Sequence, residues 1–320
     1  MSNDEIMVSI YCLAYNHEKY IKSALDGFVM QKTNFHYEVF VHDDASKDRT
    51  AEIIKEYQIK YPEIIKPIFQ TENQYSKGIN ISDTFIFPLM KGKYIAVCEG
   101  DDFWCDEYKL QKQVDFLEEH PEYSACAHNT LFRNEKNGEE YIFHDTEQDC
   151  DLKIEDIFKW ENKIFHISGL MFRKKYFIRP KEFYMGKVGD YPRGIYLALQ
   201  GKIRFFKDVV SVYRICTEGS WSSIYASGSV DKIIELNTDI INMLEDINNY
   251  TGGQYQDIIR QVQIKKKYVI AMKTKQFQVL LKEYRELLRQ EPKKIQLYVF
   301  MNGYFPGIMK VYYAIKSKFK

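Results

Sequence analysis

Short unbroken apolar runs alternate, through the first third of the chain, with longer stretches in which apolar residues recur at helical spacing. The first run, Met7 to Ala14, leads through Tyr15-Asn16-His17 into a helical pattern that lasts to Met30. The second, Tyr37 to His42, precedes a polar turn and a helix over Ala51–Tyr61. The third, Tyr94 to Cys98, follows the turn Lys91-Gly92-Lys93 and precedes a helix that starts near Asp106. Runs without polar alternation predict strands buried on both faces. Their regular alternation with helices predicts an α/β fold with a mostly parallel sheet, whose ligands bind at the carboxyl ends of the strands.

Further along, Phe165–Phe172 and Ile203–Phe206 read as strands with a helical Ile195–Leu199 between them. From Val230 onward the pattern is helical, broken at Thr251-Gly252-Gly253. Three parts are the expected divisions: a nucleotide-facing half at 1–105, a second half at 106–225 and a helical region at 226–320. No repeat period is visible. With 320 residues and 45% hydrophobic content the chain can bury a full α/β core plus accessory helices. Lys+Arg and Asp+Glu both number 45, so no basic field points to nucleic acid. The cysteines at 12, 98, 105, 126, 150 and 216 lack metal-site or secreted-framework spacing. With no signal peptide, reduced thiols and a cytoplasmic location are expected.

The polar residues at the strand exits carry the chemistry. Glu99-Gly100-Asp101-Asp102 places three carboxylates directly behind the third strand. Carboxylate oxygens are hard donors suited to magnesium or manganese, ions that keep positions open for substrate phosphates. A solvated acidic turn capping the next helix is the plain structural alternative. At the second exit, Asp48 or Ser46 can cap the helix, with Glu52 in its first turn. Capping leaves Asp43 and Asp44, at the strand's end, without a structural reason. The phosphate fingerprints G-x-G-x-x-G and G-x-x-x-x-G-K-[ST] are absent.

Several segments in order resemble the inverting glycosyltransferases of family 2, which have the GT-A fold. They are Ala14-Tyr15-Asn16-His17-Glu18; Asp43-Asp44-Ala45-Ser46-Lys47-Asp48-Arg49-Thr50, with Ala45 where Gly or Cys is usual; Glu99-Gly100-Asp101-Asp102 with Phe103-Trp104; and Gly189-Asp190-Tyr191-Pro192. Tyr213-Arg214-Ile215-Cys216 and Gly219-Ser220-Trp221-Ser222 resemble the closing loop. The likeness covers roughly the first two thirds of the chain, and ordered motifs are more specific than any single one.

This resemblance implies transfer of a sugar, with inversion, from a nucleotide-diphosphate donor, expected to be a UDP-sugar. The acceptor would be a glycan or polyprenyl-linked, in bacterial surface-polysaccharide synthesis. Asp101 and Asp102 would hold Mn2+ or Mg2+ or the ribose, supported by Glu99. Tyr15, Asn16, Asp43, Asp44 and Asp101 would bind the nucleotide, Tyr15 packing on the base. Asp190 would be the general base, although by composition alone it fits a turn between Gly189 and Tyr191-Pro192. Trp221 would form a lid over the diphosphate. One departure concerns Cys216, which stands where the family commonly has His; a thiol suits manganese or magnesium poorly. His128, His144 and His166 are candidate substitutes without metal-type spacing.

After Glu291 the chain has six lysines, no acid and many apolar residues. This composition fits peripheral contact with an anionic membrane, or a helix packed on the domain with its lysines in water. It is too broken by Asn302-Gly303 and Pro306-Gly307 to span a bilayer. Two other functions fit parts of the pattern. A nucleotidyltransferase would carry a Gly-rich basic loop that Tyr11–Tyr20 lacks; a non-catalytic sugar-nucleotide-binding protein agrees with Cys216 but not with Asp190 and the acids.

Overall fold

The computed structural model describes residues 5–159, 164–184, 189–217 and 229–318, with side chains as far as Tyr313. The chain divides into two compact units, Met1–Ser223 and Ile224–Lys320.

The first unit is an α/β fold on one ten-stranded sheet. In chain order the strands are β1 (Ile6–Ala14), β2 (His36–Asp43), β3 (Ile65–Phe69), β4 (Tyr94–Val97), β5 (Phe103–Trp104), β6 (Tyr123–Asn134), β7 (Glu140–Ile142), β8 (Cys150–Asp151), β9 (Leu170–Arg173) and β10 (Lys202–Ile215). Their spatial order is β3-β2-β1-β4-β9-β6-β10-β5, with β7 on β6 and β8 on β10. Strands β3, β2, β1 and β4 are parallel, β9 runs against its neighbours β4 and β6, and β10 is parallel to β6. The helices are α1 (Ile21–Val29), α2 (Thr50–Lys60), α3 (Lys109–Glu119), α4 (Ile154–Lys159) and α5 (Asp190–Gln200).

The apolar runs at the start of the chain form the strands that their pattern predicts. Val8, Ile10 and Cys12 of β1 are fully buried, and α1 lays Ile21, Ala24, Leu25 and Phe28 against them. Each such side chain gains about 1.5–3 kcal/mol from leaving water. Phe28 meets Trp104 edge-on at 5.1 Å, and α1 comes so close to β5 that a Cβ on Gly27 would lie 2.8 Å from the Trp104 carbonyl oxygen. The register Tyr11↔Val97 and Ala14↔Asp43 brings the carboxyl ends of β1, β2 and β4 to one edge of the sheet.

Three local expectations differ from the structure. Phe165–Phe172 is a strand only from Leu170; before it, the His166 ring binds the Ser168 hydroxyl at 2.7 Å and turns Ile167–Gly169 into a 3₁₀ helix. The strand expected at Ile203–Phe206 continues to Ile215, and β6 was not legible at all. Its buried Ser124, His128, Asn129 and Thr130 break the apolar pattern. The bonds that satisfy Asn129 and Thr130 are long-range: Asn129 Nδ2 donates to His144 O at 2.7 Å, and Thr130 Oγ1 meets Ser211 Oγ at 2.9 Å. Finally, neither Asp48 nor Ser46 is the cap of α2. Arg49 occupies that place without a side-chain bond, while Asp48 and Ser46 serve the turns described below.

The second unit is helical: Val230–Tyr250, Gln256–Lys273, Phe277–Lys282, Arg285–Gln290, Lys293–Tyr304 and Pro306–Lys318. The first two helices are joined through Gly252 and Gly253, whose φ values of +61° and +81° suit glycine. Tyr268, Ala271, Leu280, Leu288 and Val299 form a small core among the later ones. Among the described residues no helix is long and apolar enough to cross a membrane.

Candidate active site

Two turns at the shared sheet edge are laced together. Asn16 N donates to Ser46 Oγ at 2.9 Å, His17 N to Thr50 Oγ1 at 2.8 Å and Glu18 N to Asp48 Oδ2 at 3.0 Å. In return Lys47 N donates to Asn16 Oδ1 at 2.8 Å and Arg49 N to Glu18 Oε2 at 3.1 Å. Burial opposes ionisation of Asp48, but bonds from the Thr50 hydroxyl and backbone amides hold its carboxyl below the usual range. Asn16 and Ala45 both take left-handed backbone, φ +57° and +63°. For Ala45 this conformation costs roughly 1–2 kcal/mol relative to glycine. Asn16 thus spends its side chain on the turn, while Tyr15 beside it is 43% exposed.

Asp43 and Asp44 are both buried, but differently occupied. Asp44 Oδ1 and Oδ2 accept from the backbone amides of Gln74 (2.7 Å) and Tyr75 (3.0 Å), so this carboxylate anchors the following loop. Asp43 Oδ2 accepts from Ser46 N at 3.2 Å, and its buried Oδ1 has no partner.

The acidic segment follows β4. Gly100 N donates to Leu13 O at 2.9 Å, and a Cβ on Gly100 would lie 2.8 Å from His17 Nδ1, so only glycine fits beneath that ring. Asp102 is fully buried: Oδ1 accepts from Arg214 N at 3.0 Å and Oδ2 has no partner. Asp101 is partly exposed, and its Oδ2 accepts from Thr217 Oγ1 at 3.0 Å. Arg214 clamps the segment. Its Nη1 donates to Asp101 O at 2.7 Å, its Nε pairs with Glu135 at 3.3 Å, and its guanidinium lies 4.5 Å from the Phe103 ring. Cys216 sits between Arg214 and Thr217 with φ +64°. Trp221 lies outside the described residues.

Electrostatics single out this corner. Burial, then the Asp101 and Asp190 charges, push the Glu99 carboxyl up to about 8. Burial, then Asp101, raises Asp102 well above the carboxylate range. Among the described residues no group of three His, Cys, Asp or Glu side chains is arranged to hold a metal. The donors present are nevertheless hard oxygens, crowded and partly unpartnered, and such a cluster keeps its charge most easily beside a cation. Magnesium or manganese fits this set when phosphate and water supply the remaining ligands.

Asp190 stands at the amino end of α5, at an exposed position where the helix dipole favours negative charge. Crowding by protein raises its carboxyl, while Arg193 and then Arg179 pull it down. Both arginines are buried. Arg193 lies 5.0 Å from each of the Phe172 and Phe177 rings, with Nη1 3.4 Å from Phe177 O. Arg179 Nε donates to Phe183 O at 3.2 Å and its Nη1 has no partner; burial and the Arg193 charge bring it down to about 10.

The candidate histidines lie elsewhere. His128 stacks on Phe206 at 4.6 Å and His166 on Tyr213 at 4.0 Å, each pushed to about 3 by burial, and His144 packs on Phe205 at 5.0 Å. The imidazole that does reach the acids is His17. Burial lowers its pKa, and Asp101, Asp48 and Asp43 oppose that shift. Its Nδ1 is buried and unpartnered. Its place directly after Tyr15-Asn16 was the available signal. Arg179, Arg193, Thr217 and the clamp role of Arg214 had none, since they reach the site only through the fold.

The family model described as Glycosyl transferase family 2 matches residues 9–179. A Mycobacterium tuberculosis protein without assigned function is 32% identical over 227 residues, 68% of this chain and 61% of its own length. The chain therefore spans about three fifths of that relative. The putative teichuronic acid biosynthesis glycosyltransferase TuaG of Bacillus subtilis is 30% identical over 127 residues, 40% of this chain and 46% of TuaG. Staphylococcus aureus TarS, solved with UDP-GlcNAc, superposes with a TM-score of 0.58 at 16% identity, covering 93% of this chain and 79% of that one. A Pyrobaculum calidifontis mannosyltransferase in complex with GDP-Man and Mn2+ gives 0.56 at 15% identity, covering 94% and 85%. These structural likenesses carry the GT-A fold, and the family match carries the rest: the chain belongs to glycosyl transferase family 2.

Proposed function

We propose that this protein transfers a sugar, with inversion, from a UDP-sugar to a hydroxyl of a glycan or polyprenyl-linked acceptor in surface-polysaccharide assembly. The observation that carries the reading is the Asp190 carboxylate at the open end of α5, electrostatically coupled to Glu99 of the acidic segment. The family supports glycosyl transfer, and relatives named for teichuronic acid synthesis and for glucosyl transfer from UDP-Glc to a diphosphoundecaprenol-linked GlcNAc support donor and acceptor class.

In this reading the nucleotide lies along the β1, β2 and β4 exits. Tyr15 packs against the base, and the unpartnered Asp43 Oδ1 accepts a hydrogen bond from base or ribose. Asp44 and Asn16 act by holding the turns. Asp101 offers oxygens to a divalent ion, Asp102 stands behind it, and Glu99 supports both. When bound, that ion neutralises charge on the departing diphosphate. Asp190 takes the proton from the acceptor hydroxyl on the face of the anomeric carbon opposite the diphosphate; the new C–O bond forms as the bond to phosphate breaks, giving inversion. Arg193 and Arg179 oppose the rise that crowding by protein imposes on that carboxyl. A polyprenyl-linked acceptor brings the enzyme to the cytoplasmic face of a membrane as a peripheral protein.

A thermal-shift and turnover screen of nucleotide sugars, with manganese or with chelator, tests this. A UDP-sugar that stabilises the protein only with manganese, and whose sugar appears in product with inverted configuration, is the expected result. Binding without turnover for every donor and acceptor pair would favour the non-catalytic reading, and release of pyrophosphate from UTP plus sugar phosphate the nucleotidyltransferase one.

A further inference from the structure

The last two helices, Lys293–Tyr304 and Pro306–Lys318, expose an apolar surface that the rest of their unit does not cover. Nine of the twenty-one exposed large apolar side chains among the described residues lie between Leu297 and Tyr313, so the exposure is concentrated rather than scattered. The inward face of the first helix is fixed. Val299 is fully buried, Gln278 Nε2 donates to Gly303 O at 2.6 Å, and a Cβ on Gly303 would lie 2.3 Å from Leu281 Cδ1. Leu297, Phe300 and Tyr304, at helical spacing on another side, are left in water. The second helix repeats the pattern with Ile308, Val311 and Tyr312, and Leu297 and Val311 each keep 61% of their surface exposed. The helices turn back on one another, since Asn302 Nδ2 lies 3.3 Å from the Tyr313 hydroxyl and Tyr298 bonds Tyr313.

Charge identifies what covers this surface. After Glu291 the chain has six lysines and no acid, and Lys293, Lys294 and Lys310 are exposed beside the apolar stripes. A second copy would bring lysines against lysines, which opposes pairing. An anionic bilayer satisfies both features: aliphatic and tyrosine side chains enter the headgroup boundary, where an amphipathic ring is suited, and each lysine near the surface is attracted by the anionic lipid. We propose that the two C-terminal helices form a docking face for a membrane surface rich in anionic phospholipid. The proposal deepens the peripheral placement given above and rests on it for biological sense, but its readout is lipid binding, independent of sugar transfer.

The test is sedimentation of the full chain with vesicles of phosphatidylcholine alone or rich in phosphatidylglycerol. Binding to the anionic vesicles is expected to exceed that to neutral ones by at least about tenfold and to fall with salt. Lys293→Glu, Lys294→Glu and Lys310→Glu combined should remove the preference for anionic vesicles, and Leu297→Ser with Ile308→Ser should weaken binding to both kinds. An unchanged melting temperature and unchanged UDP response in these variants show that the fold and donor site are intact, so failure here is distinguishable from failure of the transferase reading. Equal binding to both vesicle types, or none, overturns the proposal. So does a concentration-dependent dimer that Leu297→Ser with Ile308→Ser dissolves.

Discussion

The two laced turns after β1 and β2 and the acidic corner between β4 and α5 are both rich in carboxylates, yet they spend them in opposite ways. In the turns, Asp44, Asp48 and Glu18 hand their oxygens to backbone amides, and these amides are the reason the chain can bend so tightly there. In the corner, burial and neighbouring carboxylates raise the cost of charge on Glu99 and Asp102, crowding by protein does so for Asp190, and Asp102 Oδ2 is left without a partner. A carboxylate saturated with amides is scaffold. One that is dehydrated, crowded and open is held ready for a proton or a cation. Motif position alone did not separate Asp44 from Asp102, because both stand at strand exits.

The sharpest way to break this contrast is Asp190→Asn, which keeps size and removes the proton acceptor. Transfer should fall by at least roughly a hundredfold with UDP affinity near native. Loss of UDP binding instead would move Asp190 into the donor site, and retained turnover would require a different base. Next in size is Asp101→Asn. In the native protein, saturating UDP with manganese should stabilise by about 2.7 kcal/mol at a hundredfold excess over Kd. The substitution, or chelator, should remove most of that, read as a lost shift in melting temperature. Equal stabilisation by UDP in chelator would sink the cation site.

A pair of neighbours sharpens the comparison further. Asp44→Asn keeps one acceptor oxygen but turns an amide NH2 toward the other of its two backbone donors, and should cost about 1–3 kcal/mol of stability with kcat near native. Asp43→Asn, whose Oδ1 supports nothing in the fold, should weaken UDP binding with a smaller effect on melting. If the two effects were interchanged, the division into scaffold and site would be misdrawn. The smallest expected effect lies with Arg193→Gln. Asp190 is already raised by its surroundings, and Arg193 is the larger of two charges opposing that rise; Glu99 and Tyr11 also face it. The base must be ionised, so activity is lost as pH falls through its pKa, and removing Arg193 should move the acid limb of kcat/KM to higher pH. A limb that stays in place while melting drops would leave Arg193 a packing residue only.

Much of this molecule could be read from one dimension. Continuous apolar runs at Met7–Ala14, Tyr37–His42 and Tyr94–Cys98 made β1, β2 and β4 legible, because a strand covered on both faces must be apolar throughout. The acids at their exits were legible for the same reason, as polar residues that the core could not absorb. What the tertiary structure alone decided is which polar groups find partners. β6 is a strand although four of its buried residues are polar, since His144 and Ser211 satisfy Asn129 and Thr130 from far along the chain. Asp43 and Asp44 are adjacent and alike in sequence, and only the arrival of the Gln74 and Tyr75 amides makes one an anchor and leaves the other with a bare oxygen. Hydrophobicity belongs to a residue and is written in its type, whereas satisfaction of a buried hydrogen bond belongs to a pair and exists only once the chain has brought the pair together.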